Sequence, residues 1–232
     1  MNIEARLDEV RREYLHRMTQ GDSTLLREVQ TYTTSRMGKM LRPRMLLTAA
    51  ATLGPQHLAS RRTLLSALCV EMLHNTTLLH DDVIDHATSR RGQPSVNARW
   101  NNAVAVLVGD YHLTLIMQLL SELDDRDISA KVNTLVRSMV EAELLAQEIP
   151  PTSDFRPPTS DLYLKIIDGK TANLFALAAE LGNPLYRDFG LHYGRLFQLR
   201  DDIADGEATP WTAPLIEQEE RAINQLENIL NI

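Results

Sequence analysis

Two short acidic stretches hold most of the chemistry in this chain. Asp81, Asp82 and Asp85 lie in "LLHDDVIDHATSRRG", residues 78–92, and Asp201, Asp202 and Asp205 repeat the same spacing in "FQLRDDIADGEA". On a helix, residues three and four apart are neighbours, so each set crowds three carboxylates onto adjoining faces. They repel one another, and a helix tolerates them poorly unless a cation neutralises the set. Hard oxygen ligands suit Mg²⁺, which keeps several waters and completes its shell with substrate phosphates. Arg90 and Arg91 follow the first set closely, and a guanidinium offers a planar fork of donors matched to phosphate oxygens. Carboxylates, a divalent metal and arginines together describe a diphosphate site. One acidic helix end can be a mere solvated terminus; two copies, each behind an apolar run, weaken that reading.

Elements must hold these side chains, and the periodicity is helical almost throughout. Ile3, Leu7, Val10, Tyr14 and Met18 step by three and four along a first helix over 3–19. Further helices are predicted over 23–35, from a start near Pro43 to Gly54, and over 60–85. Others run from "SVNARW" to about 122, then over 128–148, 161–181, 185–204 and 214–230. Asp127 or a neighbour in "DDRD" (124–127) reads as a helix cap, and "IPPTSDFRPPTS" (149–160) as a proline-rich connector ending in an N-cap at Thr159 or Ser160. No strand, repeat or long linker is legible. The expected fold is all-α, a single-domain bundle over 1–232 of long, mostly antiparallel helices around a central cavity. Both acid triads then close apolar helices at the same kind of end.

Composition narrows the partners. The 232 residues carry a formal net charge of −7 with no basic tail, which argues against nucleic acid as the main ligand. Cys69 is the single cysteine; within "LCVEML" it reads as a small buried hydrophobe in a reducing compartment. The charged N-terminus lacks a signal-peptide core, and no run reaches the ~18 apolar residues of a membrane span. A cytoplasmic chain without a transmembrane segment is expected.

The two acidic stretches resemble the first and second aspartate-rich motifs of the trans-isoprenyl (polyprenyl) diphosphate synthases. "GKMLRP" (38–43), "VEMLHNTTLLH" (70–80) and "YLKIIDGKTANLF" (163–175) match in the same order, and "LVGDY" (107–111) more weakly. The resemblance covers about residues 35–205 and implies the isoprenoid synthase fold. It implies that Lys39, Arg42, His74 and Arg91 hold isopentenyl diphosphate. An allylic diphosphate would sit between the acid motifs on a trinuclear Mg²⁺ cluster, with Mn²⁺ as the other candidate. Asp81 and Asp85 would ligate from one helix and Asp201 from the other, while Asp82, Asp202 and Asp205 act through waters or hold those ligands. Arg90, Lys170 and Gln198 match contacts to the allylic substrate, and Thr171 would help to position Lys170.

The reaction so implied is ionisation of the allylic C–O bond, attack by the homoallylic double bond and loss of a proton. Thr76 and Thr77 stand where family members with short products carry large aromatics, leaving His112, Leu113 and Met117 as the next stops. A product of C20 or longer follows, and a homodimer is expected.

The resemblance has gaps. After Asp205 comes "GEATPW", with Glu207 where a lysine-bearing loop is usual, and one further helix, so the region after about 205 reads as shortened. "AELLAQ" (142–147) misses the usual glycine and shifts a glutamine. An active synthase with a compact lid, a heteromeric chain completed by a partner subunit, and a regulatory subunit without activity all stay open. From other classes, Glu13–His16 and Glu71–His74 have the Glu-x-x-His spacing of di-iron bundles. A class I terpene cyclase would share the first acid motif, but its Asn…Ser…Glu motif is not visible.

Overall fold

The computed structural model describes residues 2–149 and 159–230. These residues are almost entirely helical, as the periodicity predicts, and fall into two compact units, Met1–Asp125 and Arg126–Ile232.

The first unit contains α1 (Ile3–Met18), α2 (Thr24–Thr34), α3 (Leu41–Ala51), α4 (Pro55–Ala59) and α5 (Arg61–Ile84). A hairpin of β1 (Ser89–Arg90) and β2 (Gln93–Pro94) follows, then α6 (Val96–Arg99) and α7 (Asn102–Leu123). Polar side chains start the helices where the sequence places them. Asn2 accepts from Ala5 N–H at 2.8 Å, and Ser23 and Ser60 do the same for α2 and α5; each such cap is worth about 1 kcal/mol. The core forms where α5 lies along α7, with α1 and α3 also against α5. Leu79, Val96, Ala105 and Val108 meet Val29 of α2 in one buried cluster.

Two local features differ from expectation. The helix predicted from "SVNARW" onward breaks at Trp100, because Asn101 is extended and its side chain caps α7 by accepting from Val104 N–H at 2.9 Å. A short polar side chain competes there with the backbone ladder, although the apolar pattern runs on. The hairpin was not legible either. Arg91 (φ +53°) and Gly92 (φ +73°) are both left-handed, the requirement of a two-residue type I′ turn, but Arg-Gly is not the usual Asn-Gly signature. By length and composition α7 could cross a membrane. Its inward line, Ala105, Val108, His112, Ile116 and Leu119, is buried within this unit.

The second unit contains α8 (Arg126–Gln147), α9 (Ser160–Ile167), α10 (Asn173–Gly182), α11 (Arg187–Ala204) and α12 (Thr212–Leu230). Thr159 caps α9 by accepting from Leu162 N–H; the rest of the predicted connector, 150–158, lies outside the described residues. The single helix expected over 161–181 is interrupted by a five-residue π-turn, Asp168–Ala172. Close packing accompanies it: a Cβ on Gly169 would sit 2.2 Å from the Ala142 Cβ of α8, and one on Gly194 of α11 would sit 2.6 Å from the Ala172 Cα. Phe175, fully buried, anchors α10, and truncating a ring so placed to alanine costs about 3–5 kcal/mol. Tyr163, Ile167 and Leu199 are buried with Leu215 of α12.

Candidate active site

The two acid triads sit on helix ends of identical construction. α5 is capped by Asp85, whose N–H donates to the Asp81 carbonyl; His86 N–H then donates to Val83 O and Ala87 N–H to Asp82 O. α11 is capped by Asp205 with the same three bonds: Asp205 N–H to Asp201 O, Gly206 N–H to Ile203 O and Glu207 N–H to Asp202 O. His86 (φ +51°) and Gly206 (φ +77°) take the left-handed place, so each end is a Schellman motif. The C-terminal end of a helix already carries negative potential. Three carboxylates there compound it, and the arrangement suits a divalent cation.

Within each triad the middle acid is buried and the flanking ones are more open. In the first unit, Asp82 is 3% exposed. Its Oδ1 accepts from Arg90 Nε at 2.9 Å and Nη2 at 2.5 Å, and Asn97 ties the Asp82 and Ala87 carbonyls together at 3.0 Å each. Asp81 is half-buried and Asp85 exposed. In the second unit, buried Asp202 accepts from Tyr163 Oη on one oxygen and from Gln198 Nε2 on the other, at 2.7 Å. Thr171 Oγ1 donates to Gln198 Oε1 at 2.7 Å, so Thr171, expected to position Lys170, braces Gln198. Asp201, Asp205 and Glu207 are exposed.

These acids fit Mg²⁺ by chemistry, since every candidate donor is a hard carboxylate oxygen. Among the described residues no three His, Cys, Asp or Glu side chains form a ready-made metal cluster. Mg²⁺ typically takes one or two carboxylates and draws its other ligands from water and phosphate. The Glu-x-x-His pairs do not read as iron sites: Glu13 pairs with Arg17 at 2.7 Å, and Glu71 accepts from Asn75 at 3.0 Å.

Cations collect near the first triad. A Cβ on Gly38 would lie 2.7 Å from Arg91 Nη2, so the "GKMLRP" loop lies flush on that guanidinium. Arg36 Nη1 fastens the contact by donating to the Gly92 carbonyl at 2.9 Å, and Lys39, next to Gly38, is exposed. Arg42 is buried. Burial first, and then Arg42, Arg91 and Arg90, hold the His74 pKa well below its ordinary value, so at neutral pH this imidazole is an uncharged hydrogen-bonding group. Glu71, buried close by, has its pKa raised by burial against the pull of Asn75, Arg42 and Arg91. The balance of charge around His74 favours an anionic ligand.

In the second unit, Lys170 lies in the π-turn and pairs with Glu143 at 2.6 Å. Of the positions considered for chain length, Thr76 is buried, Thr77 and Leu113 are half-buried, His112 is 1% exposed and Met117 is 67% exposed. Reading the sequence missed Glu143, Asn97 and the role of Tyr163. Tyr163 opens a recognised stretch, but its partner Asp202 is 39 residues away and no periodicity signals that pairing.

A polyprenyl synthetase family model matches residues 23–213. The chain is 41% identical over 193 residues to an all-trans-nonaprenyl-diphosphate synthase (geranyl-diphosphate specific) of Rhodobacter capsulatus, covering 78% of this chain and 57% of that protein. It is 32% identical over 198 residues to the octaprenyl diphosphate synthase of Escherichia coli (strain K12), covering 81% and 59%. The chain thus spans less than two thirds of the length of these relatives. A crystal structure of a polyprenyl synthase from Caulobacter crescentus CB15, complexed with calcium and isoprenyl diphosphate, is similar with a TM-score of 0.78 at 32% identity; the match covers 86% of this chain and 62% of that one.

Proposed function

The chain belongs to the polyprenyl synthetase family, and from that premise we propose that it joins isopentenyl diphosphate to an allylic prenyl diphosphate, using Mg²⁺. The observation that carries this reading is the matched build of the two acid-bearing helix ends, each with a buried, braced middle aspartate and more open flanking ones. Asp81, Asp85 and Asp201 are the proposed metal ligands. Asp82 and Asp202 orient them, and Asp205 acts through water. The chain 1–232 would work as a single catalytic domain that carries both acid triads. The family match supports this, because 23–213 includes both triads.

Bound Mg²⁺ would supply electrophilic pull on the leaving diphosphate, with Mn²⁺ able to replace it. Arg90 and Lys170 would add positive charge to the allylic diphosphate, Lys170 exchanging Glu143 for phosphate oxygens. Lys39, Arg42 and Arg91 would hold isopentenyl diphosphate, with neutral His74 giving a hydrogen bond. Gln198, braced by Thr171, would line the allylic site. Thr76 and Thr77 leave room for a long tail, supporting a product of C20 or longer; Leu113 and buried His112 are better placed as stops than Met117, which stands on the exposed face. A homodimer is supported by the exposed Val106, Leu107 and Met117 on α7, and a reducing, cytoplasmic setting by Cys69, a free and buried thiol.

The test is condensation of labelled isopentenyl diphosphate with geranyl or farnesyl diphosphate, with and without Mg²⁺, and chromatography of the products. Turnover should require the metal, and Asp81→Ala should lower it at least ~10³-fold while the protein stays folded. Near-normal turnover in Asp81→Ala would remove the metal assignment. No condensation with either primer would sink the reading for the chain acting alone.

A further inference from the structure

The second unit contains an ionic chain, fully buried at one end and half-buried along the rest, to which the proposed chemistry gives no role. Glu219 on α12 is fully buried. One of its carboxylate oxygens meets His192 Nδ1, and the other lies 3.5 Å from Arg195 Nη1. Arg195 in turn grips Asp168 with two parallel bonds, Nε to Oδ1 at 2.6 Å and Nη2 to Oδ2 at 2.7 Å. Asp168 opens the π-turn that carries Lys170 and Thr171.

A leucine could dock α12 without the desolvation cost of a carboxylate, and the neighbouring contacts of this helix, Leu215 and Ile216, are apolar. What a charge adds is a second anchor for the guanidinium whose plane the Asp168 carboxylate sets: Glu219 attracts the remaining nitrogen, Nη1, from the side of α12. The π-turn needs such bracing, since its backbone departs from the regular α-helical ladder. α11 supplies it from one face: Arg195 holds Asp168, Gly194 lies against Ala172, and Gln198 holds Thr171. Of these braces, the one at Asp168 is ionic and is backed by another helix.

We propose that Glu219 is a positioning residue: through Arg195 and Asp168 it sets the π-turn that presents Lys170 to the allylic diphosphate and holds Thr171 against Gln198. The kinetic side of this inference rests on the proposed function; the mechanical side does not.

The test combines amide hydrogen exchange over residues 168–173 with steady-state kinetics and thermal melting of the full chain, for Glu219→Leu, Glu219→Gln and Arg195→Lys. In Glu219→Leu, exchange in the π-turn should quicken about tenfold. KM for the allylic substrate should rise about tenfold and KM for isopentenyl diphosphate should hold, since Lys39, Arg42, His74 and Arg91 belong to the other unit. Glu219→Gln, which keeps an acceptor, should fall between wild type and Glu219→Leu. If Glu219→Leu does not fold, the Gln and Arg195→Lys variants carry the same comparison. Wild-type exchange in the folded variants overturns the proposal, as does an equal rise in both KM values. A wild-type protein without turnover, but with π-turn exchange that depends on Glu219, keeps the positioning role and removes the enzymatic reading.

Discussion

Asp82 takes two hydrogen bonds from Arg90, and Asp202 takes one each from Tyr163 and Gln198. Much of their acceptor capacity is engaged, so they orient a helix end more readily than they give up oxygens to an ion. Burial and the hydrogen bond to Asp202 together raise the Tyr163 pKa, which keeps the phenol a donor at any physiological pH. His112 shows a different economy. Neither ring nitrogen has a hydrogen-bond partner among the described residues, and burial, then nearby His80, lower its pKa from 6.5 to about 4. The unfolded chain therefore binds this proton at higher pH than the folded chain. Stability from His112 is fully present above about pH 6.5 and drains away as pH falls toward 4, by up to ~3 kcal/mol. His112→Leu should flatten that part of the profile and, by removing two unsatisfied nitrogens, add about 1–3 kcal/mol at neutral pH. Urea unfolding at pH 7 and pH 5 reads both effects; an unchanged difference between the two pH values would dismiss the assignment. His74 shifts in the same direction, so some acid sensitivity should survive the substitution.

Among the elements, the paired Schellman ends are the most informative. They are equal in hydrogen bonding and unequal in cost, because His86 takes its left-handed conformation with a side chain and Gly206 without one. A Cβ on Gly206 would meet nothing within 4 Å, so Gly206→Ala isolates the backbone penalty and should lower stability by about 1 kcal/mol. His86→Gly should regain a comparable amount, and thermal melting of the two variants checks both signs. Most of the helices were legible: Asn2, Ser60 and Thr159 sit where caps belong, and the apolar steps of α1 run on schedule. The common construction of the two acid ends was legible too, from the repeated Asp spacing alone. The π-turn was not, since "DGKTA" continues an apolar helical pattern and tertiary contacts at Gly169 and Gly194 go with its extra width. The struts around it escaped for another reason. Tyr163, Arg195 and Glu219 lie on three different helices, and no spacing in the sequence joins them.

For the whole molecule, α7 poses the clearest question. Leu107 and Met117 are each about two-thirds exposed on a helix whose opposite line is core, and apolar side chains exposed along one helix mark a surface suited to burial against another chain. If a second copy covers them in the proposed homodimer, Leu107→Lys combined with Met117→Lys should shift sedimentation to the monomer with the fold retained. A dimer that survives both substitutions would place the interface elsewhere. The π-turn has a different consequence at this scale, one of counting. It holds one residue more than an α-helical turn, so deleting any single residue from 168–172 would tighten it to the regular pitch. Everything downstream would keep nearly its old phase about the axis, because the residue removed, worth roughly 100° of α-helical turn, is the one the wider turn absorbs; what would be lost is the widened segment that holds Lys170 and Thr171. Such a shortened chain would still read as unbroken helix to any inspection of its letters. Deletion across this segment should therefore spare the helices on either side and fall on the Lys170–Glu143 and Thr171–Gln198 contacts, so that the number of residues in this stretch, apart from their identity, decides what it presents.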